Sequence, residues 1–391
     1  MVFLFNLAAR NVLDMMLLAV VLLVQAGVVF LLLRTPSLRG LRARRGILMA
    51  AAASACLLLI GFLLLFARFN RHFPAWIGAW VRGSAMIWAV LSMLWTAAWL
   101  IHRALRASLA TPHSSSRRGF LNTAGASLFL APAAVLGYGI FVQRFNLRLR
   151  EQEIVIPGLA GDLDGIRIVQ LTDIHLSPYL SERELMHAVA MANETFPHLA
   201  LVTGDMISGG SDPLDACLKH LAGLRAEAGI YGCLGNHEIY ANAEDYAAAQ
   251  GARLGIHYLR NESARLKFGG ATMNLAGVDY QRFHAPYLTG AEKLVAPGVF
   301  NMMMSHNPDV FPVAARQGYD LTVSGHTHGG QVRVEILRQD LNVARFFTPY
   351  VDGLYRRDGR AVFVSRGIGT IGLPARIGAP PEVALLRLCR S

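Results

Sequence analysis

The sequence predicts an all-α transmembrane region of about four helices, followed by an α/β domain. Two observations support this division. Residues 15–150 contain no Asp or Glu and hold four apolar segments, whereas residues 151–391 alternate short apolar runs with helical patterns. Alternation of strands and helices favours a parallel sheet with helices packed on its faces. We therefore expect a transmembrane region at 1–150 and a separate folded domain at 151–391.

The four apolar segments lie near residues 12–33, 47–67, 84–101 and 120–142. Each is close to the roughly 20 residues that cross the hydrocarbon core of a bilayer. Apart from Asp14, the membrane segments hold no acidic residue, which argues against an ion or proton pathway through them. The helices are therefore interpreted as an anchor or as a surface for a partner.

Basic residues are concentrated in the membrane region. Residues 1–150 contain 16 Arg and one Asp, a net charge of +15, and because the whole chain carries +11, residues 151–391 carry −4. A nucleic-acid-binding domain would be expected to hold an excess of Lys and Arg. The charge distribution therefore predicts a membrane protein that has no nucleic-acid partner.

Arginine counts favour an extracytoplasmic position for the domain at 151–391, because loops rich in Arg usually stay in the cytoplasm. Two loops hold nine arginines and the opposite side holds seven. The nine are Arg34, Arg39, Arg42, Arg44, Arg45, Arg103, Arg106, Arg117 and Arg118, and the seven are Arg10, Arg68, Arg71, Arg82, Arg144, Arg148 and Arg150.

The stretch SRRGFL, Ser116 to Leu121, resembles a twin-arginine export signal directly before the fourth apolar segment. Arg117 and Arg118 are equally consistent with the cytoplasmic flank of a membrane helix. Both interpretations send the downstream domain outward.

The polar half begins with strands and helices in alternation. Buried strands are predicted at IRIVQLTDIH (166–175), LALVTGD (199–205) and IYGCLGNHE (230–238). The first intervening helix is predicted at SERELMHAVAMANETF, where Ser181 and Glu184 have capping-box spacing. The second is predicted at DPLDACLKHLAGLRAEAG, with Asp212 as the cap before Pro213.

Polar side chains end five apolar runs of this half. Asp173 to Asp205 is 32 residues and Asp205 to Asn236 is 31, close to the roughly 30 residues of one right-handed βαβ unit. Two further runs, FNMMMSHN (300–307) and LTVSGHTH (321–328), end in histidines. Parallel strands present their carboxyl ends at one edge of a sheet, where open α/β folds bind ligands. We expect that edge to gather Asp173, His175, Asp205, Asn236, His237, His306, His326 and His328.

This set contains two Asp, one Asn and five His, and no thiolate. Such ligands suit hard and borderline cations such as Mn²⁺, Fe or Zn²⁺. Eight groups exceed the needs of one ion with open positions, but they suit two ions that share a carboxylate. His326 and His328 project to the same side of a strand end and can serve neighbouring ions.

In this order, the motifs DIH, GD, GNHE, SHN and GHTH resemble those of the calcineurin-like binuclear metallophosphoesterases. The resemblance covers residues 151–391 and implies a catalytic domain built as a double-sheet sandwich flanked by helices. Candidate strands of its second sheet are ATMNLAGVDY (271–280), RAVFVS (360–365) and EVALLRL (382–388).

The resemblance also implies roles for the residues at the predicted edge. Asp173, His175 and His328 would bind one metal ion. Asn236, His306 and His326 would bind the other, and Asp205 would bridge the two. His237 is left as the catalytic residue, and Glu238 is expected to orient its ring.

The motif GHTHGGQ and the tail SRGIGTIGLPARIGAPPE resemble the bacterial membrane-associated branch of this family, which includes twin-arginine-exported phosphodiesterases and UDP-2,3-diacylglucosamine pyrophosphatases of lipid A synthesis. The branch implies an enzyme of the bacterial inner (cytoplasmic) membrane that hydrolyses phosphodiester or pyrophosphate bonds with a metal-bridging hydroxide. Lipid-linked phosphates are candidate substrates. A UDP-2,3-diacylglucosamine pyrophosphatase and a catalytically silent phosphate-sensing or scaffolding protein are the alternatives.

The glycine pattern GIGTIG (367–372) matches a dinucleotide-binding motif after a predicted strand. That motif requires a helix directly after the glycines and an acidic residue about 20 residues on. Pro374 follows where the helix should run, so we predict a loop.

Overall fold

The structure is a computed structural model that describes residues 2–34, 40–64, 73–108, 115–281, 286–336 and 339–391. Side chains are described for 15–34, 40–64, 73–105, 123–281, 286–333 and 342–391. The chain divides into two compact units, Met1–Tyr138 and Gly139–Ser391. The functional division at residue 150 stays a prediction.

The first unit is helical. Its helices are α1 (Val2–Arg34), α2 (Leu41–Leu63), α3 (Ala75–Ser108) and α4 (Ser115–Phe141), the last of which ends in the second unit. Four segments are long and apolar enough to cross a membrane, namely Met15–Arg34, Leu41–Leu63, Ala75–Leu105 and Thr123–Phe145. The prediction of four apolar helices is therefore confirmed.

The third helix begins at Ala75 and contains Arg82. The guanidinium of Arg82 donates a hydrogen bond to the carbonyl of Leu64 at 3.0 Å, just after the end of α2. A cation that caps the carbonyls at a helix end does not have to end its own helix.

Hydrogen bonds between side chains join the first three helices. Ser54 Oγ on α2 donates to Gln25 Oε1 on α1 at 2.7 Å, and Gln25 Nε2 donates to Ser92 Oγ on α3 at 3.2 Å. Trp88 Nε1 on α3 donates to Ser54 Oγ at 2.5 Å. Such bonds add to van der Waals packing where the surroundings are apolar.

Eight charged residues of the membrane region lie outside the described side chains. These residues are Arg10, Asp14, Arg39, Arg68, Arg71, Arg106, Arg117 and Arg118. The backbone of Arg117 and Arg118 lies in the first turn of α4. The use of SRRGFL as an export signal stays a prediction.

The second unit is a sandwich of two six-stranded mixed sheets flanked by helices. The first sheet has the strand order β1-β14-β2-β3-β4-β5, the second has β12-β13-β9-β8-β7-β6, and β10 and β11 form a separate antiparallel ribbon. The strands are β1 Arg148–Ile156, β2 Arg167–Leu171, β3 Leu199–Thr203, β4 Ile230–Cys233, β5 Ile256–Tyr258, β6 Glu262–Phe268, β7 Ala271–Gly277, β8 Phe300–Met304, β9 Leu321–Ser324, β10 Arg333–Ile336, β11 Gln339–Asn342, β12 Gly353–Arg357, β13 Arg360–Val364 and β14 Glu382–Arg390.

The helices of this unit are α5 Glu182–Glu194, α6 Leu214–Leu221, α7 Asn236–Tyr240, α8 Glu244–Arg253 and α9 Phe311–Gln317. The predicted capping box of α5 is present, since Ser181 Oγ accepts from Glu184 N and Ser181 N donates to the Glu184 carboxylate. The predicted cap of α6 is wrong. The Asp212 carboxylate instead accepts hydrogen bonds from Ser208 N and Gly209 N, which lie in the turn that precedes it.

Parallel pairing brings the polar strand ends together. β2, β3 and β4 are neighbours in parallel, as the βαβ spacing predicted, and β7, β8 and β9 are parallel in the second sheet. The predicted positions of β7 and β13 in the second sheet are confirmed. The prediction for EVALLRL is wrong, because β14 lies in the first sheet between β1 and β2. Its continuous burial fits a central strand of either sheet, so its sequence does not specify a partner.

The main core lies between the two sheets. Its fully buried members include Ile168 and Leu201 from the first sheet and Leu275, Met302 and Phe363 from the second. A second cluster lies between the first sheet and helices α5, α6 and α8. Because both faces of the sheets are largely covered, the central strands are continuous apolar runs, and polar residues collect where these strands end.

Candidate metal centre

All eight predicted site residues follow strand ends. Asp173 and His175 follow β2, Asp205 follows β3, and Asn236 and His237 open α7 after β4. His306 follows β8, and His326 and His328 follow β9. Among the described residues, possible ligand atoms that lie within 4.8 Å of one another form three groups. The first is Asp173, His175 and His328, the second is His175, Asp205 and His237, and the third is Asp205, His306 and His326.

Asp205 lies where two of these groups meet. Its Oδ2 is 3.6 Å from Nε2 of His175 and 3.0 Å from Nε2 of His306. The contact with His306 is short, but within the described residues that Nε2 has no partner that meets hydrogen-bond geometry. A buried carboxylate and a buried imidazole nitrogen this close together suit a common cation between them.

The other groups show the same convergence. Nε2 of His175 and Nε2 of His328 are 3.1 Å apart, and Oδ1 of Asp173 is 3.3 Å from Nε2 of His328. Oδ1 of Asn236 is buried and has no hydrogen-bond partner among the residues that the structure describes. A buried acceptor without a partner costs free energy unless a ligand satisfies it. The donor set therefore fits divalent cations.

Hydrogen bonds fix two of the histidine rings. Nδ1 of His306 is 2.7 Å from the carbonyl of Thr203, and Nδ1 of His237 is 2.7 Å from the carbonyl of Ser208. A nitrogen that faces a carbonyl oxygen at this distance carries the proton, which leaves Nε2 as the coordinating or reacting atom. Both rings therefore direct Nε2 towards the cluster.

Burial keeps three imidazoles neutral. Burial and the nearby His237 lower the pKa of His175 to about 3, and burial and His306 lower the pKa of His326 to about 3. Burial, His175 and Arg376 hold the pKa of His328 well below its usual value. Neutral imidazole is the form that binds metals.

The carboxylates differ from each other. Burial raises the pKa of Asp173 to about 6, although His306 opposes the rise. Burial would also raise the pKa of Asp205, but His306 and His237 hold it well below its usual value. Burial would lower the pKa of His306, and the Asp205 carboxylate outweighs this and raises it to about 10. Positive charge at the centre of the cluster is therefore favoured, and a cation supplies it.

The backbone of the site is unusual. Five of the candidate residues have positive φ angles, namely Asp173 (49°), His175 (48°), Asp205 (55°), His326 (77°) and His328 (53°). Such conformations cost about 1–3 kcal/mol each and persist when the surrounding fold enforces them. Close packing contributes here, since a Cβ at Gly325 would be 2.2 Å from Oδ2 of Asp173.

Glu238 differs from its predicted role. Its carboxylate accepts backbone hydrogen bonds from Asp205 at 3.0 Å, Met206 at 2.7 Å and Gly235 at 2.8 Å. The predicted contact with the His237 ring is wrong, because the carbonyl of Ser208 occupies that position. Glu238 therefore holds the Asp205 loop against the start of α7.

Arg376 was not found by sequence reasoning. It is fully buried, and its guanidinium donates to the carbonyls of Gly367, Gly369, Ala379 and His328, with an additional 3.4 Å contact to Nδ1 of His328. Burial lowers its pKa to about 10.

The loop predicted at GIGTIG is confirmed, and Arg376 explains its place in the fold. Gly369 N donates to the carbonyl of Asp173 at 2.7 Å, and a Cβ at Gly367 would be 2.4 Å from Cβ of Asp173. The glycines allow this loop to lie directly against the Asp173 segment. Arg376 then fastens the loop to the backbone of His328.

Tyr280 is a second residue that sequence reasoning missed. Its ring is 5.5 Å from that of His326 and 6.1 Å from that of His306. The hydroxyl is buried and has no hydrogen-bond partner in the described part of the chain, and burial raises its pKa well above the usual value. The signal was available, because VDYQ follows β7 just as SHN follows β8.

The two sheets bring carboxylates, an amide and imidazoles to one edge, and the described residues gathered there include no thiolate, so this donor set suits divalent cations. A family model described as calcineurin-like phosphoesterase matches residues 166–330. A metallophosphoesterase of Helicobacter pylori is 30% identical over 266 residues, which cover 65% of this chain and 68% of that protein. The chain belongs to the calcineurin-like phosphoesterase family and is a metal-dependent phosphoesterase.

Two further relatives extend this comparison. The uncharacterized metallophosphoesterase YkuE of Bacillus subtilis is 27% identical over 70% of this chain and 97% of its own length. A protein of Bos taurus described as a transmembrane protein with metallophosphoesterase domain is 30% identical over 60% of this chain. The chain spans 56% of the length of that bovine relative.

Proposed function

We propose that the protein is a membrane-anchored two-metal phosphoesterase that hydrolyses phosphodiester or pyrophosphate bonds of lipid-linked substrates. The observation that carries the two-metal assignment is the position of Asp205, whose Oδ2 lies within 3.6 Å of His175 Nε2 and 3.0 Å of His306 Nε2. A carboxylate shared by two imidazole groups is the arrangement that a pair of cations requires.

The proposed ligand sets follow the three groups of close donors. Asp173, His175 and His328 hold one ion. His306 and His326 hold the other, together with the unpartnered Oδ1 of Asn236. Asp205 belongs to both sets. When bound, two divalent cations supply an activated water and neutralise charge on the phosphoryl oxygens.

His237 is the proposed catalytic residue. Its Nδ1 is held by the carbonyl of Ser208, so its Nε2 is the atom that exchanges a proton or a hydrogen bond with the substrate. It lies within 4.8 Å of ligand atoms of His175 and Asp205, which supports a role for it beside the proposed ions. We assign His237 to hold a phosphoryl oxygen or to protonate the leaving oxygen.

Tyr280 is proposed to donate a hydrogen bond to a phosphoryl oxygen. Its buried hydroxyl lacks a partner within the described residues, and its ring lies beside His306 and His326. A hydroxyl that stays protonated is a donor to an anion over the whole working pH range. A substrate oxygen would accept the hydrogen bond of the Tyr280 hydroxyl, just as a metal ion would bind Oδ1 of Asn236.

Lipid linkage is supported by the fourth membrane span, which ends at Phe145, only three residues before β1 begins at Arg148. The excess of arginine in the loops after α1 and α3 supports an extracytoplasmic catalytic domain in a bacterial inner membrane. Reporter fusions at the C-terminus test the side. An internal reporter would favour cytoplasmic UDP-2,3-diacylglucosamine as substrate instead.

The test of activity uses the full chain in lipid nanodiscs, loaded with Mn²⁺, Zn²⁺ or Fe²⁺. Hydrolysis of bis(p-nitrophenyl) phosphate is measured beside hydrolysis of a phosphodiester lipid, with Asp205→Ala as control. Metal-dependent turnover that is absent from the control, and higher for the lipid, supports the proposal. Preference for the soluble ester would remove lipid linkage, and two bound metals without turnover would indicate a silent phosphate-binding protein.

A further inference from the structure

An exposed apolar turn follows the β10–β11 ribbon. The apolar turn comprises residues 343–347, and the exposed fractions are 60% for Val343, 87% for Phe346 and 71% for Phe347. Arg345 is also exposed on this turn. Adjacent large apolar side chains in water mark a surface that contacts something else.

Side-chain hydrogen bonds fix the apolar turn beside the metal centre. The buried Asn342 donates from Nδ2 to the carbonyl of Gly329 at 3.0 Å, and its Oδ1 accepts from Ala344 N at 2.9 Å. At the other end, Thr348 Oγ1 donates to Oδ1 of Asp309 at 2.5 Å. Gly329 directly follows His328, so the turn lies at the same edge as the proposed ligands.

The end of the fourth membrane span is hydrogen-bonded to the 376–378 segment. Arg376 N donates to the carbonyl of Gly139 at 3.1 Å, and Gly378 N donates to Oε1 of Gln143 at 3.0 Å. Gly139 and Gln143 belong to the last two turns of the span Thr123–Phe145. Ile377, between the two donors, is itself paired with the start of the ribbon.

That pairing completes a continuous path from the span to the apolar turn. Arg333 N donates to the carbonyl of Ile377 at 2.7 Å, and Ile377 N donates to the carbonyl of Gln331 at 2.9 Å. The ribbon that starts at Arg333 ends at Asn342, directly before the turn. The end of the span, the 376–378 segment and the ribbon are therefore connected by hydrogen bonds, and the turn directly follows the ribbon.

We propose that the apolar turn inserts into the interfacial region of the membrane that anchors the chain, so that the metal centre faces lipid headgroups. A bilayer is the occupant that the turn fits, because the 376–378 segment that pairs with the ribbon is hydrogen-bonded to the end of a membrane span, in which Phe141 and Phe145 are also exposed. Exposed aromatic side chains beside an arginine are the composition of an interfacial contact. Only the benefit to a lipid-linked substrate rests on the proposed function.

The direct test places an environment-sensitive fluorophore at Phe346→Cys in the full chain. Cys56 and Cys389 are replaced by Ala, while Cys217 and Cys233 are buried and stay. The chain is reconstituted in phosphatidylcholine and phosphatidylglycerol nanodiscs, with or without lipids that carry a nitroxide quencher near the headgroup. We expect the quencher lipids to remove at least about half of the fluorescence.

Phe196→Cys is the matched control. Phe196 is also strongly exposed, at 76%, but it precedes β3 and lies at the opposite edge of the sheet. Quenching at 346 and not at 196 supports the proposal. Absence of quenching at 346, as for a turn that faces water, a second copy or another protein, overturns it, and so does equal quenching at both positions.

A double variant, Phe346→Ser with Phe347→Ser, separates this inference from the proposed function. We expect its hydrolysis of a vesicle-embedded phosphodiester lipid to fall about tenfold, while turnover of bis(p-nitrophenyl) phosphate stays unchanged. An equal fall for both substrates would mean that the turn supports the fold, and the inference would be wrong. The quenching result stands whether or not lipids are substrates, because it requires no activity.

Discussion

The two halves of the metal centre differ in their donors. The half from the first sheet supplies every carboxylate and amide, from Asp173, Asp205 and Asn236, together with His175 and His237. The half from the second sheet supplies imidazoles from His306, His326 and His328. Each proposed ion takes ligands from both halves. In this assignment each ion would therefore join the two sheets.

The largest expected effect comes from removing the carboxylate shared by the two ions. Asp205→Ala is expected to lose both metals and to lower kcat/KM by about 10³-fold or more, because the charge that attracts both cations is gone. Metal analysis of the purified variant and turnover of bis(p-nitrophenyl) phosphate measure this. Asp245→Ala, at an exposed position, is the control. Full metal content in Asp205→Ala would refute the bridging assignment.

A pair of variants in the second-sheet half should separate the two ions. His328→Ala and His306→Ala are each expected to keep one ion of the two and to lose about 10²- to 10³-fold in turnover. Metal stoichiometry is the main readout, with exposed His257→Ala as control. If both variants lose the same ion, the assignment of His328 and His306 to different ions is wrong.

His237 sharpens the comparison, because it belongs to the first-sheet half without a proposed ligand role. His237→Ala is expected to keep both ions and to lose about 10²-fold or more in kcat, the usual contribution of a proton-transfer group. Metal content is measured on the same sample as activity. A variant that has lost one ion would show that His237 is a ligand.

The smallest expected effect concerns the second-sheet side of the substrate pocket. Tyr280→Phe removes one hydroxyl and is expected to lower kcat/KM about tenfold with metal content unchanged, the worth of one hydrogen bond to a charged group. Tyr246→Phe, whose hydroxyl bonds exposed Asp215, is the control. Unchanged kinetics in Tyr280→Phe would exclude the proposed contact.

The strand ends could be predicted from the sequence, because a buried parallel strand is an apolar run and the polar residue that ends it marks the binding edge. Asp173, Asp205 and His306 were found this way. Pairing between distant strands could not be predicted, since β14 is buried on both faces and has no pattern that selects one sheet.

Supporting residues were harder to predict than the proposed ligands. Glu238 and Arg376 form hydrogen bonds with backbone groups. Because every residue carries such groups, the sequence does not indicate which of them will be the partners. Arg376 donates to carbonyls of residues between 3 and 48 positions away, so its partners depend on the finished fold. Tyr280 could have been found, because it occupies the same strand-end position as the histidines. Tyrosine is not one of the Asp, Asn and His residue types from which the metal site was predicted.

The left-handed backbone at Asp173, His175, Asp205, His326 and His328 has a consequence for how the enzyme is loaded. Hydrogen bonds accepted by Glu238 and donated by Arg376, together with close glycine packing, already hold these loops in shape. We therefore expect the cations to enter a preformed site after the chain has folded. Stripped protein should take up ions again without refolding, and whichever metal the compartment supplies at that moment then determines the mature enzyme.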